Sequence, residues 1–140
     1  MMTTLTTSNV REYFFEIEPV PASRPRVTKW GTFYGKRYEK FRREMREVLR
    51  AYPEAPLDGP LFIELAFFIP PPKTTKRGWP RGDIDNYIKG PLDSMTKHGG
   101  FYSDDDQIVF VTATKHFTKD DEKNGIRCKY GRCTTYPPAV

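Results

Sequence analysis

Leu61-Phe62-Ile63-Glu64-Leu65-Ala66-Phe67-Phe68-Ile69 is the longest apolar run in the chain. Its odd positions are all apolar, while Phe62, Glu64, Ala66 and Phe68 are mixed. A period of two predicts a strand, and apolar residues on both sides predict a central strand covered on both faces. The run is far shorter than the roughly 20 residues needed to span a bilayer, so no membrane partner is expected. Pro70–Gly82 follows as a proline-rich loop carrying Lys73, Lys76, Arg77 and Arg81, and long loops in small domains tend to be functional. Asp83–Lys97 then reads as a helix, with Ile84, Ile88, Leu92 and Met95 on one face and Gly99-Gly100 at its end. Gly90-Pro91 interrupts that pattern and predicts a kink near Tyr87–Gly90 or a helix that starts late, because proline lacks a donor and crowds the preceding turn. Gln107–Phe117 supplies the next strand.

Upstream, Tyr13–Glu18 alternates as a first strand, and Pro19–Arg26 is an extended, proline-punctuated arm that cannot join a central ladder. Val27–Trp30 and Thr32–Tyr34 suit a short hairpin around Gly31. In Lys36–Tyr52, apolar Tyr38, Phe41, Met45, Val48, Leu49 and Tyr52 recur at helical steps before Pro53. Downstream, Ile126–Tyr130 is expected to pair back on the preceding strand across Asn124-Gly125. The order β-α-β-α-β-β predicts a single small α/β domain with a mixed sheet and two main helices. Residues 1–10 read as a flexible leader, 11–130 as the domain and 131–140 as a tail. The opening is polar and Thr-rich, without a secretory pattern, so the expected location is cytoplasmic.

Charge is segregated along the chain. Between Ala22 and Arg50 there are ten basic side chains against three acidic ones. From Asp83 to Asp106, six aspartates face only Lys89 and Lys97. A basic half and an acidic focus suit a polyanion and a metal respectively. Arg42, Arg46 and Arg50 stack one turn apart, as a DNA-facing stripe or an ordinary wet helix face. Cys128 and Cys133 are too few for a disulfide framework and wrongly spaced for a zinc ribbon, so they read as reduced thiols.

Two acidic motifs carry chemistry. Asp83-Ile84-Asp85-Asn86 places two carboxylates at a loop-to-helix junction. They suit either a hard cation such as Mg²⁺, which needs only one or two carboxylates, or helix capping. Asp104-Asp105-Asp106 repel one another and call for a cation, a lysine or full solvation. Lys89 and Asp93 follow Asp85 at successive four-residue steps. They suit an ion-pair ladder, or a lysine that neutralises charge on an attacked phosphate. An EF-hand beginning at Asp83 is excluded because Ile88 and Ser94 stand where it needs Gly and Glu. No glycine-rich phosphate loop is present.

Arg81-Gly-Asp83-Ile-Asp85-Asn86-Tyr-Ile-Lys89-Gly-Pro-Leu-Asp93, followed by Phe101-Tyr-Ser-Asp104-Asp105-Asp106-Gln107-Ile, resembles the RusA-like Holliday-junction resolvases. The arm Pro19–Arg26 is similar to the branch common in phages and prophages, and the likeness covers about Glu16 to Val111. The resemblance implies a homodimeric, Mg²⁺-dependent endonuclease, with Mn²⁺ as a substitute, that makes paired cuts in four-way DNA junctions. It maps the essential carboxylates to Asp83, Asp85 and Asp105 and the essential lysine to Lys89. DNA contacts are expected from Arg24, Arg26, Lys36, Arg37, Arg42, Arg46, Lys73, Lys76, Arg77 and Arg81. The odd face of Leu61–Ile69 and helix 36–52 offer more apolar surface than one short helix covers, and part of it, with the outer strand Gln107–Phe117, is expected to be buried across the dimer axis. A less selective branch or flap nuclease and a non-catalytic junction-binding module are the alternatives.

Overall fold

The computed structural model describes residues 5–96 and 100–134. Leu61–Ile69 is indeed a strand, β4, and it lies inside a four-stranded mixed sheet. The other strands are β1 (Thr7–Phe15), β5 (Ile108–Phe117) and β6 (Gly125–Cys133), in the order β1-β6-β4-β5. β2 (Arg26–Thr28) and β3 (Gly31–Phe33) form a separate hairpin. Helix α1 spans Lys36–Leu49 and α2 spans Ile84–Ser94. β4 and β5 run parallel, with Leu61 opposite Ile108 and Ile69 opposite Phe117. A parallel pair needs a crossover, and α2 supplies it, running back from the end of β4 to the start of β5.

Several expectations are corrected. The first strand begins at Thr7, and Thr7 and Ser8 already pair with β6 rather than forming a leader. That ladder carries an irregularity between Ser8 and Arg11, where Asn9 takes φ 52, a conformation asparagine tolerates better than most residues. β6 does not pair with β5. It fills the slot between β1 and β4, antiparallel to both, because Asn124-Gly125 fixes a reversal but not a neighbour. β6 also extends to Cys133, three residues beyond the expected end of the domain at 130. Met1–Thr4, Lys97–Gly99 and residues 135–140, including parts of the leader, the second helix and the tail, lie outside the described residues.

The clustered core of the described residues lies on one face of the sheet, and Phe62 and Phe68 are buried on the other. Leu61, Ile63, Leu65, Phe67 and Ile69 are buried beside Tyr38, Phe41, Met45 and Leu49 of α1 and Tyr87 of α2. On the other face Glu64 meets Lys129 at 3.9 Å, between Thr112, Thr114 and Arg127. The expected double cover of β4 is therefore half right, since polar side chains hold the middle of the second face. The same packing removes the odd face of β4 and the aromatic face of α1 from any dimer contact. Exposed apolar residues remain on edge strand β5, at Val109, Phe110 and Val111.

α2 runs from Ile84 through Pro91 as one helix, so it does not start late. Gly90 is where α2 meets α1. A Cβ there would lie 2.7 Å from Phe41 Cε1 and 3.3 Å from Tyr38 Cε1. The glycine is thus a crossing point between helices rather than a helix stop. Cys128 and Cys133 are buried free thiols, and burial raises the Cys128 thiol well above its ordinary value. No helix among the described residues is long and apolar enough to cross a membrane.

Candidate active site

Asp83 is the N-cap of α2, with φ −76° and ψ 140°. Its backbone carbonyl accepts from the Asn86 and Tyr87 amides at 3.1 and 3.3 Å. Its carboxylate makes no capping bond, so the capping alternative is not used by the side chain. Asp85 is exposed in the first turn, and its Oδ1 accepts from the Asn86 amide at 3.0 Å. The entry to this turn is tied down from three sides. Gly82 has φ +96°, and a Cβ there would sit 2.9 Å from the Tyr87 ring, so only glycine fits. The Tyr87 hydroxyl donates to the Arg81 carbonyl at 2.7 Å. Lys115 of β5 donates to the carbonyls of Pro80 and Gly82. The proline arm adds a bond from the Ala22 amide to the Asn86 carbonyl at 2.8 Å.

The second motif divides its three acids between different tasks. Asp104 caps a 3₁₀ turn, Asp105–Gln107, by accepting from the Asp106 amide at 2.9 Å. Gln107 returns the contact, accepting from the Ser103 and Asp104 amides and donating to the Leu57 and Gly59 carbonyls. Asp106 is exposed. Asp105 is turned inward, and its Oδ1 is buried without a hydrogen-bond partner.

Asp105 faces Asp93, which rides the third turn of α2. Burial, then hydrogen bonding and charge from Asp93, with a further push from Asp104, raise the Asp105 carboxyl to about 6; the Tyr102 hydroxyl opposes this. Tyr102 is itself buried, with its hydroxyl 3.3 Å from the Leu92 carbonyl. Burial first, and Asp105 second, hold that phenol far above the ordinary range. Two carboxylates in contact, one with an orphaned oxygen, form a donor set that suits a hard divalent cation.

Asp83, Asp85 and Asp105, the carboxylates that the resemblance implies, are not brought together within one chain. Among the described residues no three His, Cys, Asp or Glu side chains lie close enough to share a metal. Eight residues separate Asp85 from Asp93, an advance of about 12 Å along a helix. Asp83 and Asp85 therefore stand at the Lys115 end of β5, and Asp93 and Asp105 at its beginning. Lys89 lies between them, exposed on α2. It forms no ion pair within 4.0 Å among the described residues, so the expected Asp85–Lys89–Asp93 ladder is absent. Asp93, Lys115 and Tyr102 were missed as contributors. Spacing alone offered Asp93 only a place in that ladder, and nothing local marked the other two.

The basic residues fall around three separate depressions. Arg37, held by Glu18 at 3.1 Å, shares a cleft of about 250 Å³ with Arg77, Arg81, Trp79 and Gly82. Lys73 and Lys76 are exposed on the same loop. Arg24, Arg26 and Lys36 line a second cleft, and Arg42 and Arg46 border a shallow depression with Arg43 and Glu39. The Arg42 guanidinium lies over the Tyr34 ring at 5.1 Å.

The family model for endodeoxyribonuclease RusA matches residues 16–128, a span that takes in both acidic motifs and the basic residues of these clefts. A crossover junction endodeoxyribonuclease of Lactococcus phage r1t is 44% identical over 71 residues, covering 48% of this chain and 50% of that protein. The chain thus spans about half the length of the relative it matches. The matched span holds the two carboxylate pairs, the lysine between them and the basic arm within one pattern, and the chain belongs to the RusA endodeoxyribonuclease family.

Proposed function

We propose that the protein is a cytoplasmic, Mg²⁺-dependent endodeoxyribonuclease that resolves four-way DNA junctions with paired cuts. One observation carries the metal chemistry: a buried, unpartnered Asp105 oxygen facing the Asp93 carboxyl, in a chain of an endodeoxyribonuclease family. Asp83, Asp85 and Asp105 are the carboxylates that would hold Mg²⁺, and Mn²⁺ has the same preference for oxygen donors. When bound, the ion polarises the phosphate and favours water as a nucleophile. The Lys89 ammonium offsets negative charge that develops on the attacked phosphate. Arg24, Arg26, Lys36, Arg37, Arg42, Arg46, Lys73, Lys76, Arg77 and Arg81 hold the DNA backbone, which makes binding strongly salt-dependent.

The separation of the carboxylate pairs favours a homodimer. A twofold axis crossing α2 near its middle lays two copies of the helix antiparallel. The Asp83/Asp85 end of one protomer then meets the Asp93/Asp105 end of the partner subunit. Exposed Val109, Phe110 and Val111 on edge strand β5 supply apolar surface for such a contact, and an open apolar edge otherwise invites uncontrolled pairing. Two identical sites on one C2 dimer suit two symmetric nicks.

The test maps both nicks on an end-labelled synthetic four-way junction, with Mg²⁺ and with chelator. Metal-dependent nicks at symmetric positions support the reading. Unpaired cuts on flaps and junctions alike favour a less selective branch nuclease. Binding without cleavage in either metal favours a junction-binding module.

A further inference from the structure

Both tryptophans of the chain are on its surface, Trp30 at 78% and Trp79 at 59% exposure. Trp30 occupies the turn of the β2–β3 hairpin, whose six strand residues are all exposed. Val27 and Phe33 add apolar surface, at 77% and 49% exposure. A two-stranded hairpin is marginal in water by itself, yet this one is braced at both ends. At the tip, Thr28 Oγ1 accepts from the Trp30 amide at 3.1 Å and donates to the Gly31 carbonyl at 3.3 Å. At the base, Ser23 Oγ accepts from the Gly35 amide at 3.0 Å and ties the hairpin to the proline arm. The bracing presents an indole to solvent, with the Lys29 ammonium 5.0 Å from its ring.

Between arm and hairpin lies a cleft of about 360 Å³, walled by Arg24, Arg26 and Lys36 with Phe33 and Tyr34. No acidic residue lines it, and none of the three cations forms an ion pair among the described residues. Uniformly basic walls select a polyanion over a second copy of the chain, while exposed aromatic faces select a planar group. A base in continuous duplex has both faces covered by its neighbours. Stacking on a protein ring is open only where the base stack is broken, at a branch, flap or single-stranded end.

We infer that the β2–β3 hairpin seats an unpaired or unstacked base of branched DNA against Trp30 and Phe33, with Arg24, Arg26 and Lys36 on the flanking phosphates. This rests on the DNA substrate of the proposed nuclease and adds how it tells a branch from duplex. The phosphate contacts hold any DNA, and the aromatic tip rewards only an interrupted stack. Selectivity for branches then resides in the hairpin, away from the carboxylates that carry the chemistry.

The test uses Trp79→Phe, which leaves Trp30 as the one indole, titrated in chelator with a four-way junction, oligothymidylate and blunt duplex. Quenching of Trp30 emission by the first two and not by duplex is expected. In the otherwise unchanged chain, Trp30→Ala should weaken junction binding roughly tenfold and duplex binding by less than about twofold, with Trp30→Phe recovering most of the loss. Equal quenching by duplex, no quenching by any DNA, or equal weakening on both substrates overturns the inference. So does a dimer that dissociates on Trp30→Ala, which would make the hairpin a protein contact. Failure to cut any branched DNA in Mg²⁺, with the quenching pattern intact, removes the nuclease reading and leaves the stacking site standing.

Discussion

Asp93 and Asp105 face one another at the end of α2, although one lies in the helix and the other in the 3₁₀ turn that opens β5. Their contact divides the acidic run by task. Asp104 is spent on capping, Asp106 faces solvent, and Asp105 alone points inward without a partner for its Oδ1. Asp105→Asn is therefore expected to reduce Mg²⁺-dependent junction cleavage by about a hundredfold or more, since loss of outer partners alone costs about 10- to 100-fold. Asp104→Asn keeps a good cap and should cut within a few-fold of the parent, while Asp104→Ala should lose about 1 kcal/mol of stability. Single-turnover cleavage and thermal melts of the three variants separate these outcomes. Equal, mild losses at both positions would reduce the run to a solvated turn.

The raised Asp105 carboxyl has a consequence for metal-free stability. Its value of about 6 exceeds the ordinary 3.8, so the folded chain holds that proton more tightly than the unfolded chain. Folding is favoured while the group is protonated. Stability should fall as pH rises from about 4 to 6, by on the order of 1 kcal/mol once the shift is discounted for solvent exposure. Urea midpoints in chelator across this range should slope downward for the parent and flatten in Asp105→Asn. An identical slope in both would assign the effect elsewhere.

Sites shared across a twofold axis give a direct complementation test. Asp85→Asn and Asp105→Asn homodimers should each be inactive. A mixed dimer would carry both substitutions in one site and neither in the other, and should nick one strand of the junction. Mixing after partial denaturation, then scoring single nicks, reads this out. Sites confined to one protomer would leave the mixture as inactive as its components.

Gly90→Ala separates helix propensity from packing. Alanine gains about 1 kcal/mol over glycine inside a helix. The added Cβ, however, would lie 2.7 Å from Phe41 Cε1, in a ring already stacked on Tyr38. Overpacking costs about 1–3 kcal/mol, so a net loss near 1 kcal/mol is expected in chemical denaturation. A stabilised variant would show that α1 and α2 can move apart freely.

The central strand, the crossover helix and both acidic motifs were legible because each is a local pattern of hydrophobicity or charge. Leu61–Ile69 matched its strand to the residue, and Asp83 was placed at the start of α2. The neighbour of β6 was not legible, since alternation shows which face is buried but not which edge is taken. The local cost of Pro91 is visible in the sequence and predicts a kink or a late start, while the Phe41 contact that makes Gly90 useful lies on another helix. Asp93 was hidden for a similar reason, because its partner Asp105 belongs to a different element. The Lys115 clamp on the Asp83 turn depends on the parallel register of β4 and β5, which spacing alone does not reveal.

The placement of β6 also bears on how the chain is made. β1 and β4 have no contact with each other in the sheet, and each uses β6 as its neighbour. On a ribosome the first strand and the most apolar segment emerge long before residues 125–133. Until those residues leave the exit tunnel, β1 has no strand beside it, and β4 can be bordered by β5 alone. Such long-range closure is slow relative to local folding, and it leaves apolar edges exposed meanwhile. Nascent chains arrested before β6 should therefore be captured by a holdase chaperone, and chains arrested behind an added linker that carries Cys133 out of the tunnel released from it.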